Sequence, residues 1–179
     1  VMALTRLGLN QSINLATNTT GTLAVANGGT GLSSGFINGT TNVGKVLQKV
    51  RATFGQFTDN TTSFKQYATA SITPTSSSSS IIVEYYCPTH KNASDTGSYI
   101  SDLRVKRGGS GGTNIYTMYD AIQYTQSQGN RELAYFNYKD SPSTTSSTEY
   151  YCEGKLVSTS AIDINWNGKG LMILTEIGA

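Results

Sequence analysis

A chain of 179 residues can hold one domain of ordinary size together with an extension. Only 13% of the residues are charged, and Ser, Thr, Asn and Gly suit turns and solvated strand faces better than helix interiors, so the composition favours an all-β fold. The net charge is only +2 and the basic residues are spread along the chain, which argues against a nucleic-acid-binding surface. No apolar run approaches the roughly 20 residues that span a bilayer, so we expect no membrane insertion.

The first 45 residues have the composition of an extended arm. Small polar residues and glycines bury too little apolar area to offset the entropy lost when a chain is ordered. We therefore predict an anchoring arm or linker at residues 1–45, ordered by a partner, and a β-domain at residues 46–179. Met2 is the expected initiator, and we expect a nearly complete gene product. Near-alternating leucines at the start of the arm suit an extended strand laid on a partner's sheet edge, which predicts the anchoring residues Leu4, Arg6, Leu7 and Leu9.

From Val46 onward, a hydrophobic period of two indicates strands with opposite sheet faces. The predicted strands cover residues 46–54, 64–73, 81–87, 99–106, 114–119, 131–138, 149–157, 161–166 and 171–177. Clusters of Gly, Ser and Pro separate them, and the only candidate for a helical turn lies within residues 119–130. About eight or nine short strands predict a sandwich or a barrel.

The sequence gives no convincing catalytic or metal site. Residues 31–35 (GLSSG) match G-x-S-x-G, but the hydrolase elbow needs a buried strand, a helix and a downstream His base, and the only histidine of the chain is His90. His90 lies in a predicted surface loop without the partners of a metal site. Two carboxylate pairs could meet in space, but structural roles are favoured for both: Glu149 with Glu153, and Asp120 with Asp140. We therefore expect no enzymatic activity, no cofactor and no metal ion.

The two cysteines, Cys87 and Cys152, both fall within predicted strands. Two cysteines permit one disulfide without requiring it. A reducing cytosol would keep them as thiols, so free cysteines are the favoured interpretation.

The arm carries a recognisable motif. Residues 22–31 (TLAVANGGTG) resemble the VANGGTG linker common in tail-fibre and other virion proteins of tailed bacteriophages, particularly those of marine hosts such as cyanobacteria; the linker residues are Asn27, Gly28, Gly29, Thr30 and Gly31. Further segments, including 70–74 (ASITP), 140–148 (DSPSTTSST) and 173–179 (ILTEIGA), resemble the C-terminal β-domain of the same proteins in the same order. The resemblance implies a jelly-roll-like antiparallel β-sandwich that follows an extended arm and forms a homotrimer.

The same resemblance implies a structural role in a virion assembled in the bacterial cytoplasm. As a fibre or spike module, the domain would present loops to a host glycan or surface protein while the arm docks on a tail component. As a capsid decoration protein, it would sit on the head while its arm threads between major capsid subunits. We favour host attachment because the best-known relatives are fibres, and the number of copies per virion would separate the two roles.

The last predicted strand suggests where subunits meet. Residues 171–177 (LMILTEI) are apolar on both parities until Thr175, which is typical of a strand buried on both faces. A two-layer sandwich buries only one face, so a neighbouring subunit would cover the other. The predicted trimer interface comprises Leu171, Ile173, Leu174 and Ile177.

Two glycine- and tyrosine-rich segments are the predicted recognition loops, at residues 108–113 and 119–130. Glycine lets a backbone approach a partner closely, and tyrosine packs an apolar ring while its hydroxyl forms hydrogen bonds. The candidate receptor contacts are Gly109, Gly111, Tyr116, Tyr119 and Tyr124.

Overall fold

Ten β-strands make up nearly all of the ordered secondary structure in a computed structural model, which describes residues 44–91, 99–124, 130–157 and 161–179. The strands are β1 (Val46–Phe54), β2 (Phe57–Asp59), β3 (Lys65–Ile72), β4 (Ser80–Lys91), β5 (Tyr99–Arg107), β6 (Thr113–Tyr124), β7 (Asn130–Asp140), β8 (Thr148–Leu156), β9 (Ile162–Ile164) and β10 (Gly170–Ile177). A single 3₁₀ turn, Trp166–Gly168, connects β9 to β10. In the described part of the chain, no helix is long and apolar enough to cross a membrane.

The strands form two antiparallel sheets. In the first sheet the order is β1-β10-β4-β7, and the short strands β9 and β2 extend it beside the end of β4. In the second sheet the order is β3-β8-β5-β6. Early and late strands of the chain alternate within both sheets, which is the connectivity of a jelly roll. The jelly-roll-like β-sandwich expected from the sequence is therefore confirmed.

The sandwich has two ends, which we call the entry end and the far end. At the entry end the chain joins the sheet beside its own C-terminus, where the Gly44 amide donates to the Gly178 carbonyl (2.7 Å) and the Gly178 amide donates to the Lys45 carbonyl (2.9 Å). Strand β4 begins at this end, opposite the end of β10. At the far end β4 pairs with β9, and the turn at Trp166–Gly168 leads into β10.

The core follows from strict alternation along β4. Ile81, Val83, Tyr85 and Cys87 are fully buried, while the residues between them face outward and are only half-buried. Cys152 on β8 is also fully buried, and both cysteines are free, as predicted. Burial raises the pKa of the Cys87 thiol to about 11, so this thiol stays protonated at neutral pH.

A buried carboxylate closes the entry end. Glu176 on β10 points inward and accepts hydrogen bonds from Gln48 Nε2 (2.6 Å), the Thr75 amide (2.7 Å) and the Thr75 hydroxyl (2.8 Å). Burial alone would raise the pKa of Glu176, but hydrogen bonds from Gln48 and Thr75 outweigh it and lower the pKa to about 2. The charged carboxylate thus fixes the serine-rich turn between the two sheets.

A second polar contact joins the sheets near the far end. Asn165 is fully buried; its Oδ1 accepts a hydrogen bond from the Tyr85 hydroxyl (2.7 Å), and its Nδ2 donates to the Tyr67 carbonyl (3.1 Å). The Tyr67 hydroxyl donates in turn to buried Asp59 (2.7 Å). Gly154 faces the Tyr67 ring, and a Cβ there would lie 2.1 Å from it, so the ring fits only against glycine.

The structure differs from the predicted elements at β2, at the end of β4 and within residues 119–130. Strand β4 continues to Lys91, beyond the predicted strand at residues 81–87. Strand β2 was missed because three residues are too few to show a period of two. The possible helical turn within residues 119–130 is a continuation of β6 as far as Tyr124, and residues 125–129 lie outside the described part of the chain.

Replacing Glu176 by Gln should lower the free energy of unfolding by about 1–3 kcal/mol at neutral pH, because buried donors lose a charged acceptor. The pKa in the folded state, about 2, lies below the ordinary value of 4.5, so the stabilisation is present above the ordinary value and is lost as the pH falls toward 2. The difference in the free energy of unfolding between wild type and Glu176→Gln, measured by urea-induced unfolding, should therefore become smaller as the pH falls from 4.5 to about 2.

The matched control is Glu132→Gln, which changes an exposed carboxylate on β7 and should leave the unfolding curve unchanged. If the free energy of unfolding of Glu176→Gln differs from that of wild type by the same amount at neutral pH and at about pH 2, the charge of Glu176 does not stabilise the fold.

Candidate functional site

The predicted anchoring residues and linker motif lie outside the described residues. These are Leu4, Arg6, Leu7 and Leu9, and the motif Asn27, Gly28, Gly29, Thr30 and Gly31, together with the G-x-S-x-G match at residues 31–35. The described chain begins at Gly44, so the structure places only the point at which an arm would join the sandwich, at the entry end.

Strand β10 separates the predicted interface residues onto two faces. Leu171, Ile173 and Ile177 point away from the core and are half-buried, whereas Leu174 is 0% exposed and packs inside the sandwich. The apolar run is two-sided, as predicted, but Leu174 is a core residue and does not belong to an outward surface. The candidate interface is therefore reduced to the three outward residues.

These three residues belong to a larger surface, which we call the outer face: the outward side of β1, β10, β4 and β7. The pairing register places Leu171 beside Tyr86 and Tyr86 beside Tyr135, so one transverse row of the outer face is mostly apolar. The two tyrosine rings lie 4.7 Å apart between centroids, and the Tyr135 hydroxyl donates to Glu84 (3.1 Å). Leu133 is 59% exposed beside this row, which makes the outer face unusually apolar for a solvated sheet surface.

The two predicted recognition loops lie at opposite ends of the sandwich. Strand β6 runs between them from Thr113 to Tyr124, a span of about 35–40 Å for twelve residues. Gly109 and Gly111 lie in the β5–β6 turn at the entry end. The turn at residues 108–113 and the end of β6 at Tyr124 therefore do not form one recognition surface.

The β5–β6 turn needs its glycines for backbone reasons. Gly108 and Gly109 have positive φ angles of 90° and 79°, and a Cβ at Gly112 would lie 2.0 Å from the Arg107 carbonyl oxygen. A tight hairpin turn accounts for these three glycines without any partner, whereas a Cβ at Gly111 would meet no atom within 4 Å, so the turn does not require glycine there.

The three candidate tyrosines have different environments. Tyr116 packs against the core, where its ring stacks on Tyr138 (5.1 Å between centroids) and contacts Phe136 (6.2 Å). Tyr119 is 74% exposed, and the side chain of Tyr124 lies outside the described residues. Tyr116 is consequently a packing residue, Tyr119 is the one tyrosine of the three whose described side chain is a surface contact candidate, and Tyr124 stays a prediction.

A bulge in β6 exposes Tyr119. The register shifts between the pairs Ser101–Ile122 and Leu103–Met118, and Asp120 within the bulge has a positive φ of 51°. The Asp102 carboxylate accepts a hydrogen bond from the Asp120 amide (3.1 Å), which stabilises this unusual backbone.

Three of the four carboxylates considered for catalysis are engaged in structural contacts, and the fourth, Asp120, is exposed. Glu153 accepts from Arg104 Nε and lies 2.6 Å from Arg104 Nη2, and Asp140 pairs with Arg107 (2.9 Å) while accepting from buried Tyr150 (2.7 Å). Glu149 accepts from Thr69 (3.0 Å), four residues from Glu153 along the same face of β8. Side chains four residues apart on a strand are separated by about 13 Å, too far for a glycosidase pair. Among the described residues, no cluster of His, Cys, Asp and Glu could hold a metal ion.

His90 does not lie in a loop, contrary to the prediction. It belongs to β4, and the register places it in a transverse row with Thr58, Asp163 and Arg131 on four neighbouring strands. His90 Nδ1 lies 3.3 Å from Asp163 Oδ2, and the Thr58 hydroxyl donates to Asp163 Oδ1 (2.8 Å).

Trp166 covers this row at the far end. Its ring stacks on His90 at 3.9 Å between centroids and 24° between planes, and the Arg131 guanidinium lies 5.7 Å from the tryptophan centroid. We call the group formed by His90, Arg131, Asp163 and Trp166 the Trp166 platform. The sequence offered one signal that could have suggested it: the only tryptophan precedes an Asn-Gly turn.

The strand order and the outer face define the class of the molecule as a jelly-roll β-sandwich with an apolar outward sheet. No protein-family model matches the chain, and no curated protein sequence matches it.

Several solved structures are similar in fold. The structure of the Gx strain of infectious bursal disease virus shares 13% identity at a TM-score of 0.45, and the VP2 subviral particle of the same virus shares 15% at 0.44. These two matches cover 73% and 74% of this chain, which spans only 37% of each viral chain. Dimeric latent PorU from Porphyromonas gingivalis shares 8% identity at 0.45, covering 78% of this chain and 14% of the other. Likeness of this degree assigns no function.

The different environments of two tyrosines on β6 can be tested directly. Tyr116→Ala should lower the free energy of unfolding by about 2–4 kcal/mol because it leaves a cavity beside Phe136 and Tyr138. The matched variant Tyr119→Ala should change it by less than about 0.5 kcal/mol because that ring is exposed. Urea-induced unfolding measures both, and equal losses would contradict the packing of Tyr116 against the core.

Proposed function

We propose that this chain is a structural protein of a tailed-bacteriophage virion, a trimeric module for host attachment that is anchored by its N-terminal arm. The observation that carries the proposal is the apolar outer face, because a β-sandwich that exposed it would invite uncontrolled association. The resemblance of residues 22–31 and of the β-domain to phage virion proteins supports the same role.

The outer face supports subunit contact through β10 and its neighbours. Leu171, Ile173 and Ile177 lie on the outward side of β10, and Ile82 of β4 lies beside Thr175 in the same layer. Each Å² of apolar surface removed from water contributes about 25 cal/mol, so covering these half-buried side chains stabilises an oligomer. Lys49 and Arg51 on β1 border the apolar strip and would form the polar rim of such an interface.

Anchoring through the arm fits the position at which the chain joins the sandwich. The hydrogen bonds between Gly44, Lys45 and Gly178 fix this junction at the entry end. The far end of the sandwich is the end away from this junction. This favours an attachment role for the far end.

A capsid decoration protein is the alternative function for the same module. It would use the same arm junction and the same subunit interface, and it differs in the number of copies per virion. An asymmetric reconstruction of the intact particle would show a few trimers for a fibre and hundreds of copies for decoration.

Ile173→Asp should convert the trimer into folded monomers, because it places a charge within the apolar outer face without disturbing the core. Sedimentation of the full chain at micromolar concentration measures the state, and circular dichroism checks that the variant remains folded. Ser71→Asp, on the exposed side of the second sheet, is the matched control and should remain trimeric. A wild-type chain that sediments as a stable monomer would refute the trimer.

Removing the arm, so that the chain starts at Asn42, should leave the melting temperature of the β-domain nearly unchanged and abolish incorporation into virions. The physical reason is that the arm's composition offers almost no core, while the sheet beyond Gly44 keeps its own hydrogen bonds. Calorimetry and particle composition measure the two effects. Normal incorporation of the shortened chain would contradict anchoring by the arm.

A further inference from the structure

The turn that carries Trp166 has a strained backbone that the surrounding structure holds in place. Asn165, Asn167 and Gly168 have positive φ angles of 54°, 59° and 66°, a conformation that costs non-glycine residues free energy. Strain of this kind persists only where neighbouring contacts enforce it, and it is concentrated at functional sites.

Three contacts enforce this turn. The buried Asn165 side chain is bonded to both Tyr85 and the Tyr67 carbonyl. A Cβ at Gly170 would lie 2.1 Å from Asn165 Oδ1, so glycine at this position makes room for the asparagine. Outside the core, the Asn167 amide donates to Gln56 Oε1 (2.9 Å). These contacts hold the strained turn, and with it Trp166, in a single conformation.

The tryptophan lies flat on the sheet instead of entering the core. Its ring is parallel to the His90 imidazole to within 24°, and Asp163 holds the imidazole from the side at 3.3 Å. Because His90 is an outward residue of β4, one face of the indole rests on the imidazole and the ring forms a layer above the sheet.

A cation lies over the indole, since the guanidinium carbon of Arg131 is 5.7 Å from the ring centroid. Arg131 is exposed on β7 opposite His90, and among the described residues no carboxylate pairs with its guanidinium. Asp163, the carboxylate of the same row, is already bound by His90 and Thr58. An aromatic surface with an adjacent guanidinium offers stacking to a flat ligand and charge-assisted hydrogen bonds to an anion.

We propose that the Trp166 platform binds an anionic saccharide, with a sugar ring stacked on Trp166 and its carboxylate or sulfate bound by Arg131. A sugar ring presents an apolar face of C–H groups to the indole and hydroxyls at its edge to polar side chains. The site lies at the far end, away from the chain entry at Gly44, where a displayed module would meet a host surface.

This inference rests on the proposed attachment role only for its biological setting. Saccharide binding is measured on the purified full chain without a virion, so it can fail while the trimer and the arm anchor stand. Conversely, loss of virion incorporation would not affect binding to the platform.

Trp166 is the only tryptophan of the chain, so its fluorescence reports the platform directly. The full chain is titrated with a galacturonate tetrasaccharide, a sulfated galactose tetrasaccharide and the neutral galactose tetrasaccharide. We expect at least one anionic sugar to bind about ten-fold or more tightly than the neutral one, because a charge-assisted contact is lost with the latter. The preference between the two anionic sugars identifies the acidic group.

Arg131→Gln should weaken binding of the anionic sugar about ten-fold and leave the neutral sugar unchanged. Lys139→Gln removes a charge from the exposed side of β7, toward the entry end of the same strand, and should bind like wild type, which separates a specific contact from general charge attraction. Both substitutions of Trp166 remove the fluorescent reporter, so their binding is measured by calorimetry. Trp166→Ala should abolish binding, and Trp166→Phe should retain part of it with the turn intact.

Three results would overturn the proposal: no fluorescence response to any of the three sugars, equal affinity for anionic and neutral sugars, or unchanged affinity of Arg131→Gln for the anionic sugar. Binding that survives in Trp166→Ala would also overturn it, since the stacking surface would then be unnecessary.

Discussion

The alternation of side chains along β4 is the constraint on which the first sheet depends. This strand pairs with β10 and β9 along one edge and with β7 along the other, so its inward and outward sides set those of its neighbours. A shift of one residue would expose Ile81, Val83 and Tyr85 and bury Glu84. The core and the outer face are therefore two consequences of a single register.

Buried polar side chains join the two sheets at the ends of the sandwich, beyond the hydrophobic core. At the entry end, Glu176 fixes the turn that leads from the second sheet back to the first. At the far end, Asn165 joins the hydroxyl of one strand to the backbone of a strand in the opposite sheet. Each of these groups would be costly to bury alone, and each has hydrogen-bond partners, so these contacts add specificity to the sandwich as well as stability.

Periodicity predicted most of the fold because it reports which side of a strand is buried. It placed strands at residues 46–54 and 81–87 close to where they lie, and the number of strands with their turns predicted a sandwich or a barrel. It could not predict the pairs that join distant residues. Asn165 finds Tyr85 at a separation of 80 residues and Tyr67 at 98, and no local pattern contains that information.

The candidate sites were harder to predict, for physical reasons that particular residues show. Gly109 and Tyr116 have the composition of a binding surface, but the first serves a tight turn and the second packs on Phe136. His90 followed Pro88, which argues against a strand. The strand continues because Pro88 lies at a gap in the pairing along one edge of β4. Pairing with β10 ends at Tyr86, and pairing with β9 begins at Thr89.

The positions of the two outward surfaces give the module a direction. The apolar outer face runs along β10 and the neighbouring part of β4, and the Trp166 platform lies beyond it at the far end of the same sheet. A subunit contact on β10 near Ile173 and Ile177 lies toward the entry end, on the side of the chain junction. Assembly on this part of the sheet would leave the row of His90 and Arg131 at the edge of the subunit contact. Because the strand register separates the contact surface from the platform along the length of the sheet, one sheet can serve both association and ligand binding.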